Sequence, residues 1–190
     1  MSTKHKALVL MDDGNLYYGF RKVGWELDYE KFRNWLREEF EVVDIYFFGG
    51  IICKKTFFDR HPDHTLTGFI KYKESREGFF RLLKYLGYKV KSKPVAILYD
   101  DMTDGFKRKC NCDVEMTIIA LDRLGDYEEF ILCSGDGDFE KLLRYVKGKH
   151  KKTTIIAHGH RLNKNLAETA NRCILFTEIR NKVEKKKELP

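Results

Sequence analysis

Apolar residues recur along this chain in two rhythms. Short, nearly unbroken runs stand at residues 7–11, 42–48, 130–133, 153–157 and 173–176, built largely of Val, Ile, Leu and Phe. Runs of that kind, bounded by acids or glycine, read as strands covered on both faces. Between them the apolar positions fall three and four apart: Leu16, Phe20 and Val23; Phe32, Trp35, Leu36 and Phe40; Phe79, Leu82, Leu83 and Leu86; Val114, Ile118 and Leu121; Phe139, Leu142, Leu143 and Val146. That spacing predicts helices, with Asp28 placed to cap the second and Gly87 to close the third. Residues 88–93 and 95–99 read as two strands parted by Pro94, and residues 162–170 as a last helix. Three stretches carry weaker signals. Residues 49–73 read as a loop or insertion with some helix, residues 100–111 as a polar, basic loop, and residues 180–190 as a charged tail, frayed or helical in solvent. Strands alternating with helices, with no repeat and no linker, predict one α/β domain over residues 1–179: a mainly parallel sheet with helices on both faces.

Composition narrows the class. At 190 residues, 43% hydrophobic and 34% charged, the chain is expected to be globular rather than disordered. Its net charge of +7 favours an anionic partner such as nucleic acid. No apolar run is long enough to span a bilayer, and the first residues carry no signal-peptide pattern, so no membrane partner is expected. The five cysteines form no paired framework, and Cys133 and Cys173 sit within apolar runs. Reduced thiols and a cytoplasmic location follow as expectations.

The chemistry gathers around Phe130-Ile-Leu-Cys-Ser-Gly-Asp-Gly-Asp-Phe139. Here a strand gives way to a tight turn holding Asp136 and Asp138, and then to a helix. In an open α/β sheet, ligands bind at the carboxyl ends of the strands. The same junction recurs after the first strand, at Asp12-Asp13-Gly14-Asn15, while Asp113 opens a later helix. Any one of these acids is explained as a helix cap. Together, at matching places in the topology, Asp12, Asp113, Asp136 and Asp138 favour a shared site for Mg2+ or Mn2+, which relieves the repulsion among crowded carboxylates. Such a site activates water against a phosphoryl group.

Asp12-x-x-Asn15, Lys109-x-x-x-Asp113 and Ser134-Gly-Asp-Gly-Asp-Phe139 together resemble the NYN domain, in particular its bacterial LabA-like branch. The resemblance spans roughly residues 6–178. It implies a Rossmann-like, three-layer α/β/α fold of the PIN-like nuclease superfamily and a metal-dependent endoribonuclease. It also implies that Asp12, Asp113, Asp136 and Asp138 hold the cation while Asn15 and Ser134 orient groups around it. A further acid is implied along the helix that Asp113 opens. Ile119 stands near that position, with Glu115 and Asp122 on other faces.

Around this set, Lys107, Arg108 and Lys109 read equally as a grip on RNA phosphates and as a solvated loop. His158 and His160 follow a strand and are placed to touch substrate, as is Ser134. Tyr17 and Tyr18 offer faces for base stacking, whereas Phe20 reads as core. Cys110-Asn111-Cys112, beside Asp113, reads as loop cysteines before it reads as an oxidant-sensitive or soft-metal pair. The apolar part of residues 51–70 suggests a homodimer contact. The function expected is cleavage of single-stranded or structured RNA by metal-activated water. The alternatives are a non-catalytic RNA- or protein-binding module and a phosphatase of the haloacid-dehalogenase type. Against the phosphatase, Gly14 stands two residues after Asp12, where that chemistry places an acid.

Overall fold

The computed structural model describes residues 4–60, 64–100 and 105–186, with backbone alone for residues 59–60, 96–100 and 105–109. The strands among them are, in chain order, β1 (Lys6–Asp12), β2 (Glu41–Ile52), β3 (Lys89–Asp100), β4 (Gly105–Lys109), β5 (Glu129–Cys133), β6 (Lys152–Ala157) and β7 (Arg172–Leu175). They join in one sheet of order β4-β3-β2-β1-β5-β6-β7. Six strands run parallel, and β4 adds to the β3 edge antiparallel. The chain winds outward from β1 in both directions, so the crevice between the ends of β1 and β5 is the point where the winding reverses.

Alternation along the central strands assigns the two faces. Ala7, Val9 and Met11 of β1, with Ile131 and Cys133 of β5, pack beneath α1 (Asp13–Val23), α2 (Tyr29–Glu39), α4 (Leu66–Tyr85) and α8 (Arg180–Val183). Leu8, Leu10, Phe130 and Leu132 point the other way, into a core closed by α5 (Asp113–Asp122), α6 (Glu140–Gly148) and α7 (Lys164–Thr169). Both faces of the strands are dry, as the unbroken apolar runs required. The three-layer α/β/α fold is therefore the one expected.

The weak stretches are where structure and expectation part. The second strand continues through Gly49 and Gly50 to Ile52, and a short helix α3 (Lys54–Arg60) follows. Helix α4 begins at Leu66, well before Ser75, with the Thr65 hydroxyl accepting from the Gly68 amide at 3.1 Å. Its early turns pack Phe69 and Tyr72 against Phe57 of α3, at ring separations of 5.4 and 5.8 Å. Lysines interleave those aromatics and mask the period. Pro94 does not divide two strands; it lies inside β3, opposite Ile51 of β2. It falls before the part of β3 that β4 covers, where a missing N–H is tolerated. The polar, basic stretch contains β4, an edge strand whose charge suits an exposed rim.

As far as it is described, to residue 186, the charged tail is docked rather than frayed. Val183 is buried, its carbonyl accepts the Asp28 amide at 2.8 Å, and the Lys185 amide donates to Glu26 at 2.9 Å. Helix α2 and the tail thus complete one corner together.

Candidate functional site

Met11 and Cys133 lie in register on adjacent parallel strands, so the residues that follow them emerge side by side. Asp12 ends β1 and caps α1, one carboxylate oxygen accepting the Asn15 amide at 3.3 Å. Its other oxygen accepts the Ser134 hydroxyl at 3.1 Å. Ser134 is fully buried, and its oxygen in turn accepts the Asp136 amide at 3.2 Å. The Asn15 side-chain carbonyl accepts the Gly135 amide at 3.1 Å. Asp12 and the Ser134–Asp136 turn are therefore laced by side chains, which is why each junction needs its own polar residue.

The glycines of the turn are set by packing. A Cβ on Gly135 would run into the backbone carbonyl of Arg161, and one on Gly137 would come within 2.7 Å of the Asn163 amide nitrogen. The turn after β5 lies directly against the segment after β6, and only glycine fits.

These junctions open on a cavity of about 450 Å3 whose walls include Asp12, Asn15, Asp113, Asp136 and Arg76. Asp113 reaches it from the start of α5, where the Asn111 side chain accepts the Asp113 amide at 2.8 Å. Burial raises the Asp12 carboxyl from 3.8 to about 6. The Asp113 charge adds to the rise, while the Asn15 amide and the Ser134 hydroxyl oppose it. Burial likewise raises the neighbouring Asp13, against the pull of Arg76. Arg76 pairs with Asp13, donates to the Gly50 carbonyl at 3.0 Å and lies 4.5 Å over the Phe80 ring.

Not every expected residue arrives. Asp138 is exposed and does not line the cavity, because Asp136 accepts its amide at 3.1 Å and caps a tight 3-10 turn that faces Asp138 outward. Ile119 packs against the core, Glu115 pairs with Lys93 at 2.6 Å and Asp122 is exposed, so none of the three supplies a further acid. Among the described residues, no three His, Cys, Asp or Glu side chains are arranged closely enough to hold a metal ion. Ser134 is too deeply buried to contact RNA itself. His158 is not a surface ligand either. It is 1% exposed, with ring centroids 4.3 Å from Phe20 and 5.0 Å from Phe176. Neither of its ring nitrogens has a hydrogen-bond partner, and burial pulls its pKa from 6.5 down to about 4. The side chains of Lys107, Arg108 and Lys109 lie outside the described set; their backbone forms β4 and leads into the cavity wall at Cys110.

Sequence reasoning passed over Arg76, whose helical phase with Phe79 and Phe80 appears only once α4 is known to start at Leu66. It also passed over Arg161, which reaches the cavity rim and places its guanidinium 5.7 Å over the Tyr18 ring. Tyr17 and Tyr18 line the same rim and are more than half exposed, unlike the buried Phe20.

The sequence matches the NYN domain model over residues 6–177. The chain belongs to the NYN domain family. This NYN chain is 26% identical over 183 residues to "Low amplitude and bright protein LabA" of Synechococcus elongatus, a match covering 95% of the chain and 88% of that protein. Its fold is similar to the crystal structure of a protein of unknown function from Vibrio parahaemolyticus. The TM-score is 0.68 at 25% identity, covering 92% of this chain and 94% of the other. The family read from the Asp12-x-x-Asn15 and Ser134-to-Phe139 motifs is thereby confirmed. Among the described residues of this NYN domain, no helix is long and apolar enough to cross a membrane.

Proposed function

We propose that the chain is a divalent-metal-dependent ribonuclease, with Mg2+ or Mn2+ as cofactor and RNA as substrate. One observation carries the reading: Asp12, Asp113 and Asp136, from three separate junctions, line one cavity, and burial with mutual repulsion pushes Asp12 up to about 6. A carboxylate that the fold keeps partly dry and beside a second acid is one that gains from a cation.

The donors fit such an ion in kind, since hard oxygens suit both metals. They also fit in number, because Mg2+ keeps several waters and is held through one or two carboxylates. Asp12 and Asp113, close enough for the charge of one to raise the pKa of the other, would hold it, with Asp136 acting through water. When bound, the ion would lower the pKa of water and offset charge building on a phosphate. Ser134 and Asn15 fix the Asp12 carboxylate through their hydrogen bonds, so little is left to reorganise. Arg76 neutralises Asp13 and removes a further negative charge from the cavity. Arg161 stands at the rim, where an incoming phosphate meets a guanidinium.

The test is labelled RNA incubated with Mn2+, with chelator, and with Asp12→Asn or Asp136→Asn. Metal-dependent cleavage lost in both variants supports the assignment. Cleavage that survives both, or survives chelation, overturns it. A non-catalytic RNA- or protein-binding module is the second reading, favoured by the outward-facing Asp138 and the apolar Ile119. It predicts RNA retention that chelator does not change.

A further inference from the structure

Beside the carboxylates, the cavity wall carries two thiols that this chemistry does not use. Cys110 and Cys112 both line it, and their sulfurs lie 3.8 Å apart, at van der Waals contact. Cys110 is half-buried, and Cys112 is 8% exposed. The remaining cysteines stand elsewhere: Cys133 fully buried in β5, Cys53 and Cys173 exposed. Residues two apart in sequence are close enough for a disulfide, and these two side chains already turn toward each other.

We propose that Cys110 and Cys112 are a peroxide-sensitive dithiol that closes to a disulfide within the chain and thereby displaces Asp113. In the first step the Cys110 sulfur, the more accessible, attacks one peroxide oxygen. The O–O bond breaks, the other oxygen leaves as hydroxide and takes up a proton to become water, and Cys110 becomes a sulfenic acid. In the second step the Cys112 sulfur attacks the Cys110 sulfur. The S–S bond forms, the S–O bond breaks and a second water leaves with the remaining proton. Two thiols lose two electrons and one peroxide gains them.

The residue enclosed by the new ring is Asn111. Its side chain accepts the Asp113 amide at 2.8 Å, and its backbone carbonyl accepts Lys93 at 3.1 Å. Lys93 also holds Glu115, in the same first turn of α5, at 2.6 Å. Drawing the two sulfurs together twists Asn111, breaks its bond to the Asp113 amide and moves the Asp113 carboxylate from its place beside Asp12. The disulfide stands on this geometry alone; its effect on catalysis rests on the ribonuclease reading.

The full chain is treated with hydrogen peroxide, capped with N-ethylmaleimide and digested with trypsin. Cleavage after Lys109 and Arg123 isolates both thiols, and no other cysteine, on the peptide of residues 110–123. The expected product is that peptide lighter by two hydrogens, uncapped, and restored to two maleimides by dithiothreitol; Cys112→Ser abolishes it. The idea is overturned if both thiols still take maleimide, if one sulfur proceeds to sulfinic acid without a cross-link, or if either is joined to Cys53 or Cys173. Calorimetry with Mn2+ reads the consequence. Oxidation is expected to weaken binding about tenfold or more, the loss typical when a group supporting a ligand is disturbed, and Cys110→Ser should make binding indifferent to peroxide. Unchanged affinity in a protein shown to carry the disulfide refutes the displacement of Asp113. Reduced protein that neither binds Mn2+ nor cuts RNA sinks the ribonuclease reading, and the peptide still decides the disulfide.

Discussion

Removing the charge from Asp12 should make the fold more stable, and only where pH ionises it. Its carboxyl titrates at about 6 rather than 3.8 because burial outweighs the Asn15 and Ser134 hydrogen bonds. A carboxyl raised in this way binds its proton more tightly folded than unfolded. Below pH 3.8 the acid is neutral in both states and costs nothing; the penalty grows from there to about pH 6 and is complete above it. At roughly 1.4 kcal/mol per pH unit, the ionised group costs at most about 3 kcal/mol. Because Asp12 faces a cavity that water enters, part of this is screened, and about 1–3 kcal/mol is the range to expect. Asp12→Asn keeps an acceptor for the Asn15 amide and offers a donor to Ser134, whose oxygen has a lone pair to spare. In chelator at pH 8 the variant should therefore melt roughly 3–10 °C above the wild type. The gap should close as pH falls toward 4. Mn2+ should narrow it at pH 8 by stabilising the wild type alone. Thermal unfolding of both proteins across pH checks this. A variant less stable at pH 8, or a difference flat with pH, refutes the account of Asp12 as a buried charge held ready for a cation.

Three further outcomes follow from the same site. His158 has its pKa drawn down from 6.5 to about 4, so the fold should lose up to about 3 kcal/mol as pH drops through that window; urea titrations of wild type and His158→Phe should differ in slope there, whatever their offset. Gly135→Ala forces a methyl against the Arg161 carbonyl and should cost about 3 kcal/mol in urea unfolding. It should also abolish any RNA cleavage, while an unchanged midpoint would show that the two loops part easily. Arg76→Met leaves Asp13 partly buried without its partner and should destabilise by about 2–3 kcal/mol, less than a fully buried pair because each side chain keeps some solvent contact. Adding Asp13→Asn should restore much of that loss, as measured by the same midpoint.

The parts legible in the sequence were those where one periodicity decides the structure. Residues 7–11 and 130–133 are apolar throughout because helices cover both faces of β1 and β5, and Asp28 caps α2 by the rule that placed it there. The site was legible to the extent that it sits at strand ends: Asp12 closes β1, Asn15 lies in the first turn of α1 behind it, and Asp136 stands in the turn after β5. Less legible was whatever depends on a neighbour remote in sequence. Nothing near His158 announces that Phe20, Trp25 and Phe176 will enclose it. Asp138 looks equivalent to Asp136 until the 3-10 turn separates their directions. Pro94 and the lysines of α4 obey local rules that a sheet edge and an aromatic contact override.

The docking of the tail against α2 has a consequence for synthesis on the ribosome. Leu27 waits for its β-bridge to Glu184, and Asp28 for the carbonyl of Val183, until more than 150 further residues have emerged. The central strand β1 likewise waits for β5. A nascent chain halted before residue 180 would leave the α2 corner unsealed, open to chaperones and proteases, however well the rest had condensed.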